Sequence, residues 1–154
     1  MKRLVILRHA KAEKFAVTDH ARPLSDRGHE QAHQCSKWIH ELPFVIESAI
    51  VSSSTRTAQT CQDLKLNCSV QLAAAAYNAS AEQWVHLIRE CQNEVENLLI
   101  VGHNPGLSDL AFAHGYAGEL STCAAVVIEL EPDWQQFGLH AGKPAQTFVP
   151  ERNT

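Results

Sequence analysis

Arginine and histidine side chains follow three separate apolar runs of this sequence, each just after the run ends. Arg8 and His9 come directly after "LVIL". Arg56 lies four residues after "AIVS", and His103 comes directly after "LLIVG". Arginine stays charged, and its planar guanidinium binds phosphate oxygens in pairs. A neutral imidazole can attack phosphorus and hold the phosphoryl group covalently. These residue types therefore indicate phosphate chemistry.

The apolar runs that precede these residues are typical of strands buried on both faces, as in a parallel sheet. Between them the apolar residues recur at helical spacing, for example Ala32, Cys35 and Ile39, and then Trp84, Leu87 and Ile88. The predicted element order is β-α-β-α-β-α-β-α-β-β. Such alternation predicts a three-layer α/β/α fold with a mostly parallel central sheet.

The predicted sheet brings the charged residues together. Ligands of open α/β sheets bind outside the carboxyl ends of the strands, which is where Arg8, His9, Arg56 and His103 are placed. Two helices are expected to begin there, at residues 54–55 and 104–105, with Asn104 as an N-cap and Pro105 at the first helical position. Nearby guanidinium groups disfavour imidazolium, so at least one histidine is expected to be neutral near pH 7.

Length and composition restrict the remaining possibilities. The 154 residues suit a single domain over 1–154, with a core at about 3–149 and a short C-terminal tail. A net charge of -4 argues against a nucleic-acid partner. No apolar stretch approaches the roughly 18 residues of a membrane span, and the charged N-terminus does not resemble a signal peptide. We therefore expect a cytoplasmic protein with no membrane contact.

Neither the cysteines nor the histidines outside the predicted site form a metal-binding pattern. The five cysteines include no C-x-x-C pair, so we expect small, free, buried thiols. His29 and His33 are four residues apart on a predicted helix, but the pattern supplies no further ligand. The sequence also has no acidic cluster of the kind that holds magnesium. We therefore predict no metal and no cofactor.

Three motifs together resemble the histidine phosphatase superfamily, whose fold is called phosphoglycerate mutase-like. They are "LRHA", "VSSSTRTAQT" and "VGHNP", and the resemblance extends from about Arg3 to Val127. The segments "RHAKAE", "DHARPLSDRGHEQA" and "YNASAE" look most like the small SixA-type phosphohistidine phosphatases. The resemblance implies site roles for the following residues: His9 as the nucleophile, Arg8 and Arg56 as a phosphate clamp, His103 as the second pocket histidine, and Arg22 as a further phosphate contact.

The sequence departs from the wider superfamily at two points. Ala10 replaces the glycine that usually follows the Arg-His pair, although the SixA-like branch often has alanine there. Larger phosphomonoesterases of the superfamily place a Glu or Asp after the third strand as general acid, whereas here no carboxylate precedes Glu82 in "LAAAAYNASAEQ". Glu13, Asp19 or no residue at all is left as the acid.

The missing acid favours phosphohistidine as the substrate. An ester needs its alkoxide leaving group protonated, whereas a phosphoramidate can be protonated on its own nitrogen. We therefore expect a metal-independent phosphohistidine phosphatase that acts through phospho-His9. Its expected substrate is a protein, such as a histidine phosphotransfer domain of a signalling phosphorelay, since the short chain leaves little sequence for a lid. The alternatives are a phosphatase of a small metabolite or peptide, and a non-catalytic phospho-binding module.

Overall fold

The computed structural model describes residues 1–151. Its strands are β1 (Lys2–Arg8), β2 (Ser48–Ser52), β3 (Ser69–Ala73), β4 (Asn97–Gly102), β5 (Ala125–Leu130) and β6 (Gly142–Phe148). Its helices are α1 (Asp26–His40), α2 (Thr55–Asp63), α3 (Ala81–Arg89) and α4 (Gly106–Ala113). The element order is the predicted one. Among these residues, no helix has both the length and the apolar character needed to cross a bilayer.

All six strands form one sheet, in the order β3-β2-β4-β1-β5-β6. The first four are parallel, with Ile6 of β1 opposite Ile100 of β4 and Ile50 of β2 opposite the same Ile100. β5 runs antiparallel to β1, and β6 antiparallel to β5. The prediction of a mostly parallel sheet is confirmed. The carboxyl ends of β2, β4 and β1 therefore lie side by side at the middle of one sheet edge.

The core consists of two apolar layers, one on each face of the sheet. Because side chains alternate along a strand, Leu4 and Ile6 of β1 pack on the face covered by α3 and α4, while Val5 and Leu7 pack on the face covered by α1 and α2. Trp84 of α3 is fully buried in the first layer, as its helical spacing predicted. The three-layer α/β/α prediction is confirmed.

Side-chain caps set the beginnings of the helices next to the sheet edge. Ser54 caps α2, and Ser80 forms the predicted capping box with Gln83 at the start of α3. The predicted cap of α4 is wrong by one residue, because α4 begins at Gly106 with Pro105 in the cap position. The Asn104 side chain still accepts a hydrogen bond from the backbone N–H of Ser108, and its amide also donates to the Leu120 carbonyl. It thereby joins α4 to the loop before β5.

The cysteines are free thiols. Cys35, Cys61, Cys91 and Cys123 are buried, and Cys68 is half-buried. Burial raises the pKa of the Cys61 and Cys91 thiols to about 11, so both are protonated and unreactive near neutral pH. The predicted burial therefore holds for four of the five.

Candidate functional site

The structure brings the four predicted site residues into one pocket at the sheet edge. Arg8 and His9 leave β1, Arg56 lies in the first turn of α2, and His103 directly follows β4. The His9 and His103 rings are 5.3 Å apart between centroids. His9, Arg56 and His103 are only 7%, 4% and 3% exposed. The side-by-side order of β2, β4 and β1 is what makes these residues neighbours, although up to 95 positions, from Arg8 to His103, separate them along the chain.

A backbone contact determines which nitrogen of His9 is free to react. The Nδ1 atom lies 2.7 Å from the Ala10 carbonyl oxygen. A carbonyl oxygen can only accept, so Nδ1 is the atom that bears the proton and donates. The Ala10 peptide is itself held, because its N–H donates to the Thr60 hydroxyl, which donates to the Arg56 carbonyl. The lone pair of neutral His9 is therefore on Nε2.

Both pocket histidines are neutral near pH 7. The pKa of His9 is lowered to about 4, mainly by burial and then by the charges of Arg56, Arg8 and Arg22, against the opposing hydrogen bond to Ala10. The pKa of His103 is lowered to about 3, mainly by burial and then by His9 and Arg56. The predicted neutral histidine is thus found, but desolvation is a larger cause than the arginines that the sequence pointed to.

The buried polar atoms without hydrogen-bond partners are concentrated in this pocket. Among residues 1–151 there are four such side-chain nitrogens, and three are Arg8 Nε, Arg56 Nε and His103 Nδ1. The fourth is the indole nitrogen of Trp84, in the core. Buried polar groups in proteins are nearly always paired, so three unpaired nitrogens in one place indicate a ligand that accepts hydrogen bonds. A tetrahedral oxyanion has the acceptor oxygens and the negative charge that this set requires.

The second pocket histidine has a partner that the sequence analysis did not identify. His103 Nε2 lies 2.7 Å from the hydroxyl of Ser52, which is fully buried at the end of β2. When the serine donates to Nε2, Nδ1 must hold the ring proton and is available to donate to a bound anion. Ser52 was visible in "VSSSTR", but its pairing with His103 depends on the adjacency of β2 and β4.

Asp19 contacts the pocket as an ionised carboxylate. Arg56 donates to both the Asp19 carbonyl (2.8 Å) and its carboxylate (3.2 Å). Arg22 donates to the other carboxylate oxygen at 3.0 Å, and the Tyr77 hydroxyl donates to the oxygen shared with Arg56. The hydrogen bond from Tyr77, followed by the contacts with Arg22 and Arg56, holds the pKa of Asp19 well below its usual range. A carboxylate so strongly held in its ionised form is a poor proton donor.

The other proposed acid, Glu13, makes no side-chain contact with the pocket. Its side chain is exposed and makes no hydrogen bond or ion pair with residues 1–151; its backbone carbonyl instead accepts from Arg22 Nη1 at 2.8 Å. Arg22 is half-buried beside the pocket and is close enough to lower the pKa of His9. The structure thus places Arg22 at the rim of the site, where its guanidinium connects Glu13 and Asp19.

Tyr77 is the main site residue that the sequence analysis missed. It follows β3 and a short 3-10 turn, and its ring meets the His103 ring edge-on at 5.4 Å between centroids. The Arg56 guanidinium lies 6.0 Å from the same tyrosine ring. The signal that could have located it was its position just beyond the carboxyl end of β3, the rule that located the other residues. Tyr77 closes the side of the pocket that faces β3.

One pair considered as a metal site lies elsewhere and has another partner. His29 Nδ1 is 2.6 Å from the Asp63 carboxylate. This contact connects α1 with α2 in the helical layer that covers one face of the sheet. Within residues 1–151, no group of three or more His, Cys, Asp and Glu side chains is arranged to hold a metal ion. His29 therefore acts as an ordinary contact between helices.

The pocket has the parts needed for phosphoryl transfer to a histidine. His9 supplies a neutral imidazole with a free Nε2 lone pair. Arg8, Arg56 and His103 supply buried hydrogen-bond groups around it. Fixed donors of this kind, of which the two arginines are cationic, can stabilise charge on the oxygens of a transferring phosphoryl group without reorganising during the reaction. The site could thus hold an oxyanion next to the Nε2 lone pair of His9.

The chain is similar to known proteins in both sequence and fold. Residues 4–106 match the sequence profile of the histidine phosphatase superfamily (branch 1). An uncharacterized protein of Mycobacterium tuberculosis is 29% identical over 134 residues, which cover 86% of this chain and 84% of the relative. A solved protein described as a candidate phosphohistidine phosphatase SixA from Nakamurella multipartitia superposes with a TM-score of 0.89 at 20% identity, over 97% of this chain and 96% of that one. The protein histidine phosphatase SixA complexed with tungstate superposes with a TM-score of 0.83 at 22% identity, over 96% and 97% of the two chains.

Proposed function

The chain belongs to the histidine phosphatase superfamily, and we propose that it is a metal-independent phosphatase that removes the phosphoryl group from phosphohistidine on a protein. The observation that supports this most directly is the set of unpaired buried nitrogens of Arg8, Arg56 and His103 around His9. The similar SixA structure was solved with tungstate, an oxyanion of the same shape as phosphate, which is consistent with an anion in this pocket.

In the proposed reaction, His9 Nε2 attacks phosphorus in line with the bond to the substrate imidazole. The new Nε2–P bond forms as the substrate P–N bond breaks. The leaving imidazole, already protonated from solvent on its other ring nitrogen, keeps the electron pair of the P–N bond and departs as a neutral ring. Arg8 and Arg56 bind the equatorial oxygens, and His103 donates through Nδ1 while Ser52 donates to its Nε2. Water then attacks the phosphorus of phospho-His9 and releases inorganic phosphate and the free enzyme.

The preference for phosphohistidine over phosphate esters follows from the absence of a protonated carboxyl group among the described residues that contact the pocket. An ester leaves as an alkoxide and depends on a positioned acid, whereas the imidazole of phosphohistidine can be protonated before it leaves. Asp19, the carboxylate in contact with the pocket, is held ionised by Tyr77, Arg22 and Arg56. It therefore has no proton to give near neutral pH.

The substrate claim is tested with a histidine phosphotransfer domain phosphorylated chemically by phosphoramidate. We expect kcat/KM for this domain to exceed that for phosphoserine, an ester whose alkoxide leaving group needs an acid, by about 10²–10⁴-fold, the range that general acid catalysis contributes to reactions that need it. Phosphate release is measured for both substrates, with His9→Ala as the background control. Turnover of the ester without turnover of the phosphorylated domain would favour a small-molecule phosphatase. Binding without release from either would favour the non-catalytic module.

The lowered pKa values predict an acid limb far below that of an ordinary histidine. His9 must be unprotonated to attack, so kcat/KM is expected to fall only as the pH drops through about 4. An unperturbed histidine would lose activity near pH 6.5. NMR titration of the imidazole Cε1–H signals should give midpoints of about 4 for His9 and about 3 for His103. Midpoints near 6.5 for both rings would contradict the burial argument.

A further inference from the structure

The loop between β1 and α1 exposes two large apolar side chains beside the pocket. Phe15 is 87% exposed and Val17 is 99% exposed, the highest values for large apolar residues among residues 1–151. Neither belongs to the two apolar layers of the core. Ordered apolar side chains clustered on a surface mark interaction sites more often than scattered single ones do. They therefore require an explanation outside the folding of this chain.

The base of this loop is tied to the pocket. The Glu13 N–H donates to the Pro23 carbonyl at 2.8 Å, and Arg22 donates to the Glu13 carbonyl, which closes residues 13–23 into a compact turn. The Thr55 N–H of α2 donates to the His20 carbonyl at 3.0 Å, and Arg56 binds Asp19. The loop tip, residues 14–18, is thus presented on a fixed base.

The exposed pair lies next to the phosphate-binding groups. Val17 precedes Asp19 by two residues, so their Cα atoms are at most about 7.6 Å apart. A shallow cleft of about 350 Å³ runs along residues 14–19 to Arg22, which connects the loop tip with the pocket rim. Exposed Lys14 adds a positive charge next to Phe15. Arg22 lines this cleft and also lies close enough to His9 to lower its pKa, so the cleft extends from the loop tip to the rim beside His9.

We propose that Phe15 and Val17 form a docking surface for the protein that presents the phosphohistidine, through an apolar patch next to its phosphorylated side chain. This inference rests on the proposed function and specifies how the substrate is recognised. The occupant is a folded protein because a free phosphorylated amino acid that reaches His9 is too small to cover both side chains as well. The arginines orient the substrate by binding its phosphoryl group. Burial of Phe15 and Val17 against the partner then favours protein substrates over small phosphorylated molecules.

The test compares two substrates with the same leaving group: free phosphohistidine and a histidine phosphotransfer domain phosphorylated with phosphoramidate. For the double variant Phe15→Ser/Val17→Ser we expect kcat/KM on the domain to fall by about tenfold or more, mostly through KM, because two apolar contacts are lost. On free phosphohistidine we expect it to stay within about twofold of the unsubstituted protein, since surface substitutions perturb the fold little.

Matched controls are available at the far side of the molecule. Val45 is 76% exposed. Its carbonyl accepts a hydrogen bond from the side-chain amide of Asn97 at the start of β4, at the end of the sheet opposite the pocket. Phe112 is 69% exposed near the end of α4, away from the helix start beside His103. The double variant Val45→Ser/Phe112→Ser makes the same chemical change and should leave both substrates unaffected.

The other outcomes separate this inference from the proposed function. Equal kcat/KM on the domain for the loop variant and the unsubstituted protein would overturn the docking surface and leave the phosphohistidine assignment standing. An equal loss on both substrates would also overturn it, because the loop would then support the pocket and not the partner. If the unsubstituted protein cleaves phosphoserine but not the phosphorylated domain, the proposed function itself is wrong.

Discussion

Replacing His9 by alanine is expected to lower turnover by about 10⁴-fold or more, since removal of a covalent nucleophile leaves only binding and electrostatic effects. Because Nδ1 of His9 donates to the Ala10 carbonyl, the Nε2 lone pair is free to attack. The unpaired donors of Arg8 and Arg56 lie in the same pocket. No neighbouring side chain can take its place, because His103 Nε2 is occupied by Ser52.

The covalent intermediate gives this prediction a direct readout. Substrate labelled with ³²P should leave label on the unsubstituted protein after an alkaline quench, because phosphohistidine survives base, and the label should be absent from His9→Ala. His33→Ala is the matched control, since His33 is exposed on α1 and outside the pocket. Oxyanion binding should persist in His9→Ala through the arginines. Label retained on His9→Ala would remove the nucleophile assignment.

Replacing Arg56 by lysine is expected to lower kcat/KM by about 10²–10³-fold, the cost of losing one donor to a developing oxyanion. Because lysine keeps the positive charge, the loss of kcat/KM measures the contribution of the planar guanidinium and its paired N–H donors, not of charge alone. Arg56 is 4% exposed and uses its two terminal nitrogens on Asp19, with Nε left unpaired in the pocket. A lysine ammonium cannot reproduce this geometry.

The control for Arg56→Lys is Arg3→Lys. Arg3 lies near the start of β1 at the opposite sheet edge and forms a partly exposed ion pair with Glu129, a contact worth little in solution. Steady-state kinetics on the phosphorylated domain and a thermal melt should be measured for both variants. An unchanged kcat/KM in Arg56→Lys would show that Arg56 is only a structural partner of Asp19. A lowered melting temperature with a proportionate activity loss would contradict a role in phosphate binding.

The predictable part of the site depends on residues whose positions are set by local patterns. A strand's apolar run ends at a definite residue, so the sequence places Arg8, His9 and His103 at strand ends without any knowledge of the packing. The parallel arrangement follows from the alternation of strands and helices, and it makes those ends neighbours. The α4 cap was predicted less well, because the Asn104 side chain also donates a hydrogen bond to the Leu120 carbonyl in a distant loop.

The sequence by itself determined the order of the elements, the α/β class and the residues at the strand ends, because apolar periodicity and capping are local properties of the chain. Only the tertiary structure decided that β5 and β6 turn antiparallel, that Ser52 orients His103, and that Tyr77 and Arg56 meet at Asp19. The side-chain contacts among them join residues 37 to 58 positions apart. Such pairings depend on how strands and loops pack, as does the burial that keeps both histidines neutral.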